Sequence, residues 1–256
     1  MANRYWRKFG CEFEFSTSFK DMESIVQNAV YSAYGYNKVQ IVDAYPESTS
    51  KTKWILKKDQ STGSELTTPI SKYSDFPHIK DVINHIASKD VKITKSDSVH
   101  IHVQADDVPR NNIIAAWLQI EPAIRKCYPN HRQKNKYCEK VMKWNRRNCK
   151  DLSPFFKKAK STSEYHNSAM SLFHYDEWKT VEFRMGEGSV NPSAIKMFVG
   201  FYMMFLNYAA EIDPVDVLYD DANNYEIDYV LDMIGIKNAS MVKFFNQRYK
   251  EFGAYL

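Results

Sequence analysis

Three short stretches of this 256-residue chain place ionisable side chains two residues apart around an apolar one. Glu12 and Glu14 flank Phe13, His100 and His102 flank Ile101, and Glu182 and Arg184 flank Phe183. Alternate side chains of a β-strand point to opposite faces, so each pair shares a face and the residue between them turns to the other. If the three strands join one sheet, one face is a core and the other carries carboxylates, imidazoles and a guanidinium. Two carboxylates at i, i+2 repel each other unless a cation or a proton lies between them. Any one of these patterns is ordinary alternation on a half-solvated sheet. Together they describe a polar face that calls for a ligand. Carboxylates dominate the set and thiolates are absent, which suits hard cations such as Mg²⁺ or Mn²⁺ better than structural zinc. With a guanidinium nearby, such a face can hold a metal–triphosphate and stabilise charge on a transferring phosphoryl group.

The elements that must position these residues follow from hydrophobic period. Phe9–Phe15 alternates as a half-buried strand, and Val39–Ala44, Thr52–Lys57, Glu65–Pro69, Val99–Val103 and Thr180–Met185 also read as strands. Apolar steps of three and four predict helices over Met22–Ala33, Phe76–Ser88 and Arg110–Cys127. From Pro192 to Ala210 a nearly continuous apolar run predicts a helix buried on most sides, with Phe198, Phe201, Tyr202 and Phe205 as core. Shorter helices are expected at Tyr225–Met233 and Met241–Phe252. Strands interleaved with helices, without a regular βαβ period, predict an α+β fold with a curved, mainly antiparallel sheet and helices on one face.

Composition sets the outer limits. At 44% hydrophobic and 26% charged, with 8 Gly and 9 Pro, the chain is globular rather than disordered or fibrous. A single domain over residues 1–256 is expected. A net charge of +4 does not by itself imply a nucleic-acid partner. Cys11, Cys127, Cys138 and Cys149 are too scattered for a disulfide framework, and no apolar leader or bilayer-length stretch stands out, so a cytoplasmic protein with no membrane partner is expected. The sequence contains neither G-x-G-x-x-G nor G-x-x-x-x-G-K-[ST], which removes the Rossmann and P-loop nucleotide sites.

The ordered pieces Gly10-Cys11-Glu12-Phe13-Glu14, Trp54 to Asp59-Gln60-Ser61, Glu65 with Pro69, His100-Ile101-His102 and Thr180-Val181-Glu182-Phe183-Arg184 resemble the putative amidoligase family of glutamine-synthetase-like carboxylate–amine ligases. The likeness runs from about Phe9 to about Ala210 and includes Glu121-Pro122, Arg132 and Tyr137. It implies a glutamine-synthetase-like catalytic fold and carboxylate ligands Glu12, Glu14, Glu65 and Glu182 for divalent metals at ATP. It further implies His100 in the metal or phosphate shell, His102 supporting that shell or contacting substrate, and Arg184 on the transferring phosphate. Arg132 is a further candidate for the cofactor, and Asp59 and Ser61 for the substrate. The reaction implied is activation of a carboxylate to an acyl phosphate and attack by an amine, whose partners are small-molecule or peptide acids and amines. One departure is Ser163-Glu164-Tyr165-His166-Asn167, which lacks the Arg that family members carry before the Tyr; Arg132, Arg146 or Arg147 could stand in for it.

Two other readings compete. His100 and His102 followed by Asp106 or Asp107 fit the first metal motif of a cupin-type β-sandwich, at the cost of leaving Glu12, Glu14, Glu182 and Arg184 unexplained. The stretch from Arg125 to Lys160 contains 13 Lys/Arg against two acids, with Tyr128, Tyr137, Trp144, Phe155 and Phe156 among them. That composition suits a nucleic-acid surface in a non-catalytic protein, or a nucleotide-linked or nucleic-acid-linked substrate. A solvated basic insert serving the ATP site is the simpler expectation.

Overall fold

The structure, a computed structural model, describes residues 5–43, 50–59, 62–140, 167–219 and 225–253. Its strands are β1 (Phe9–Phe15), β2 (Val39–Val42), β3 (Trp54–Asp59), β4 (Gly63–Thr67), β5 (Ser98–Gln104), β6 (Met170–Ser171) and β7 (Thr180–Glu187). They form one open sheet in the order β2-β3-β4-β1-β5-β7-β6. The α+β class and the antiparallel pairing of β1 with β4 and β5 agree with the sequence reading. The sheet is nonetheless mixed, because β2 pairs with β3 in parallel. Alternation identifies a strand but carries no information about the direction of its neighbour, so that pair was not foreseeable.

Nine α-helices accompany the sheet among the described residues: α1 (Phe19–Tyr34), α2 (Phe76–Ala87), α3 (Arg110–Arg125), α4 (Asn130–Gln133), α5 (Tyr175–Trp178), α6 (Pro192–Glu211), α7 (Pro214–Tyr219), α8 (Ile227–Met233) and α9 (Ala239–Phe252). Contact density divides the chain into two compact units. One comprises Tyr5–Val103 and Gly186–Gly200, the other the described parts of Gln104–Met185 and Phe201–Leu256.

In the first unit, β1 buries Phe9, Cys11, Phe13 and Phe15 and leaves the residues between them on the opposite face. Helix α1 forms because Ser18 caps it, its side chain accepting a hydrogen bond from the Asp21 amide at 3.2 Å, and because Gly35 ends it in the left-handed region. Met22, Val26, Ala29 and Val30 give α1 one buried stripe, and Ile79, Val82, Ile83 and Ile86 give α2 another. The two helices pack together, and α1 packs on β3 and β4. The start of β5 is tied to the end of β1 by Asp97, whose carboxylate accepts from the Ser16 amide at 3.2 Å and the Ser16 hydroxyl at 2.9 Å.

In the second unit, Phe183 turns from β7 into an aromatic core. Its ring stacks on Tyr202 at 3.8 Å and meets Trp117 at 5.6 Å and Phe205 at 5.8 Å. Phe201, Tyr202 and Phe205 of α6 are buried here and Phe198 is buried in the first unit, as the continuous apolar run of α6 predicts. The buried Arg125 pairs with Glu121 one turn earlier and donates to the carbonyls of Gln133 and Cys138. Among the described residues no helix is long and apolar enough to cross a membrane.

Candidate functional site

The polar face of the first unit is assembled by strand register. Glu12 stands opposite His100 across β1 and β5, Gly10 stands opposite His102, and Glu14 stands opposite Glu65 across β1 and β4. Lys57 on β3 stands opposite Glu65 in turn. Thus the residues predicted from three separate stretches, Glu12 with Glu14, His100 with His102, and Glu65, share one face of three adjacent strands.

Glu12 is the centre of this group. Its Oε2 lies 3.4 Å from His100 Nδ1 and its Oε1 lies 3.3 Å from His102 Nε2. Burial alone would raise the Glu12 carboxyl, but the charge and hydrogen bonds of His102 and His100 outweigh it and hold that carboxyl well below the usual carboxylate range. Glu12 therefore remains an anion in a partly dehydrated place. On the other side of the sheet Cys11 is fully buried, and burial pushes its thiol up, so it is a core side chain and no ligand.

A second chain of contacts fixes the orientation of His100. Ser98 Oγ donates to Glu14 Oε2 at 2.5 Å and lies 2.8 Å from His100 Nε2. A hydroxyl has one proton, so once it is given to the carboxylate, Ser98 must accept from the N–H at Nε2. In a neutral imidazole that leaves the lone pair of Nδ1 aimed at Glu12 Oε2, two acceptors face to face at 3.4 Å. A proton on Nδ1 or a cation between the two atoms resolves this opposition. The donor set of carboxylate and imidazole, with no thiolate, fits a divalent ion such as Mg²⁺ or Mn²⁺.

Glu65 differs from its neighbours. Lys57 Nζ lies 2.7 Å from Glu65 Oε1, and Thr67 Oγ1 donates to the same oxygen at 3.2 Å. Burial first, then the charge of Glu12 and to a lesser degree that of Glu14, push the Glu65 carboxyl up to about 8, against the pull of Lys57. Lys57 and Ser98 were not singled out from the sequence. Each shares the face of a recognised residue, Lys57 at two before Asp59 and Ser98 at two before His100, so the i, i+2 rule extended by one step would have found both.

In the second unit β7 carries Glu182 and Arg184. The Arg184 guanidinium donates through Nη1 to Glu182 Oε1, and Glu182 is buried. Among the described residues Arg184 Nε has no hydrogen-bond partner, which leaves one donor of a planar fork for an anion. Arg132, a candidate for the cofactor, is buried instead under the backbone of β7. Its Nη2 donates to the Arg184 carbonyl at 2.6 Å and its Nε to the Met185 carbonyl at 3.4 Å. Cys138 also donates to the Arg184 carbonyl, so this thiol and Cys127, both buried, serve packing. Asp59 ends β3 and accepts from the Thr62 amide at 2.9 Å. Ser61, Trp144, Arg146, Arg147, Cys149, Phe155, Phe156 and the stretch 163–166 lie outside the described residues. Within the part of the basic segment that is described, Arg125 and Arg132 are buried and engaged by carbonyls, which removes two cations from any polyanion surface there.

Comparison with known proteins adds one finding. A protein-family model described as "Putative amidoligase enzyme" matches residues 6–206, a span containing every residue of the clusters above. No curated protein matches the chain.

Proposed function

The chain belongs to the putative amidoligase family, and from that premise we propose that it is an ATP-dependent carboxylate–amine ligase that forms an amide through an acyl phosphate. Glu12, Glu14 and His100, with Glu65 and Glu182 of the same carboxylate set, are the proposed holders of Mg²⁺ or Mn²⁺, and His102 supports Glu12 from the other side. A divalent ion held by these residues would supply charge neutralisation for the triphosphate. Arg184 binds a phosphate oxygen through its planar fork, while Glu182 holds the fork in place. Arg132 acts one step back as a positioning residue, fixing the β7 backbone from which Arg184 projects. Asp59 and Ser61 are proposed on the substrate side.

A carboxylate oxygen of the acid attacks the γ-phosphorus and ADP leaves. The amine nitrogen then attacks the acyl carbon, inorganic phosphate leaves with the carboxylate oxygen, and the amine gives up a proton. The observation that carries this reading is Glu12 held between His100 and His102 at 3.4 and 3.3 Å, with Nδ1 of His100 facing a carboxylate oxygen. The two-His, one-carboxylate alternative accounts for only part of that cluster, and among the described residues a single open sheet replaces the facing sheets a cupin sandwich requires. Small-molecule or peptide acids and amines are the proposed partners, and a nucleotide-linked substrate remains within the same chemistry.

A screen of acid and amine pairs for ADP release with Mg²⁺ tests the proposal, followed by ¹⁸O labelling of the acid. The expected result is a product lighter than its two precursors by one water and one ¹⁸O in inorganic phosphate. ADP release without an amide, or an amide with no label in phosphate, contradicts it.

A further inference from the structure

The carboxylate row contains one cation that the chain itself supplies. Lys57 lies opposite Glu65 in the β3–β4 register and reaches its Oε1 at 2.7 Å, with side chains only 17% and 7% exposed. Thr67 Oγ1 donates to the same oxygen at 3.2 Å. Glu65 Oε1 thus already receives an ammonium and a hydroxyl, and a divalent ion there must displace the first or crowd against it. Glu12 is surrounded differently, because its two oxygens face imidazole nitrogens that a metal can ligate once they are neutral. Glu14 stands between the two, opposite Glu65 in the β1–β4 register and hydrogen-bonded to Ser98.

We infer that Lys57 is a tethered cation that competes with a divalent ion for Glu65, so that it sets how many divalent ions the carboxylate row accepts. The inference rests on the reading of Glu12 and His100 as a cation site, and refines it. The first ion enters at Glu12 and His100. A further ion at Glu65 and Glu14 is held off by a like charge a few ångströms away, and removing that charge opens the position. Lys57 thereby occupies with one flexible side chain the carboxyl oxygen that an additional metal would use, without adding a Lewis acid.

The test is a Mn²⁺ titration of the full chain without nucleotide, with free Mn²⁺ counted by its electron paramagnetic resonance signal. Wild type, Lys57→Gln, Lys57→Met and the double variant Lys57→Gln with Glu65→Gln are compared, with Glu12→Gln as control. The expected result is one Mn²⁺ more in Lys57→Gln than in wild type, or a weak wild-type ion tightened at least roughly tenfold, as loss of one nearby like charge allows. The double variant should return to the wild-type number. Lys57→Met keeps the aliphatic stem, and repeats the measurement should the amide variant fold poorly. If wild type binds Mn²⁺, Glu12→Gln abolishes it and neither Lys57 variant changes number or affinity, the role of Lys57 is overturned and the cation site stands. Binding in none of these proteins overturns both.

Discussion

At the scale of single residues the polar face is a set of opposed proton preferences. Glu12 is drawn toward ionisation by two imidazoles, while Glu65, buried and close to the like charges of Glu12 and Glu14 on β1, is pushed to hold its proton to about 8. A carboxyl whose folded value exceeds its unfolded value near 4.5 binds more protons in the folded state between those two values. Stability of the metal-free protein therefore falls as pH rises from about 4.5 to about 8 on account of Glu65. Glu12 acts in the opposite sense at lower pH, where its contribution disappears as the carboxyl is protonated. Thermal melts at pH 5 and pH 8 check this: Glu65→Gln should narrow the gap between the two melting temperatures, since the amide has no proton to lose. An unchanged gap would remove the buried-acid account of Glu65.

At the scale of elements, what the sequence made legible was face and period, and what it hid was register. The alternation at Phe9–Phe15, Val99–Val103 and Thr180–Met185 located β1, β5 and β7 to within about two residues, because a buried face leaves a period of two in the side chains themselves. Six of the nine described helices were located to within about three residues by their apolar stripes, whereas the short α4, α5 and α7 were not foreseen. Met170–Ser171 was missed, since two residues cannot display a period. Lys57 and Ser98 were missed for a different reason: each is a single polar residue whose partner is fixed only when neighbouring strands are aligned. Gly186 belongs with them. A Cβ built there would lie 2.4 Å from the Val99 carbonyl oxygen, on the strand that bears Ser98 and His100. The contact is with backbone, which cannot turn aside as a side chain can. Gly186→Ala should therefore cost about 1–3 kcal/mol and lower the melting temperature by several degrees. A melt within one degree of wild type would show that the strands separate freely there.

At the scale of the whole molecule, a family match over residues 6–206 and a site built from β1, β4 and β5 support the same chemistry from independent sides. The family name describes amide ligation; the geometry describes a carboxylate–imidazole cluster whose donor set suits a divalent cation. Each compact unit braces residues of its own: Ser98 orients His100 in one, and Arg132 holds the backbone of Arg184 in the other. The central proposal is that the His100 imidazole ligates a divalent ion together with Glu12. Electron spin-echo envelope modulation of bound Mn²⁺ reads that bond itself. The account predicts ¹⁴N modulation from a directly coordinated imidazole, abolished in His100→Ala and accompanied by weakened binding in Glu12→Gln. Bound Mn²⁺ without nitrogen modulation, or modulation that survives in His100→Ala, would contradict it.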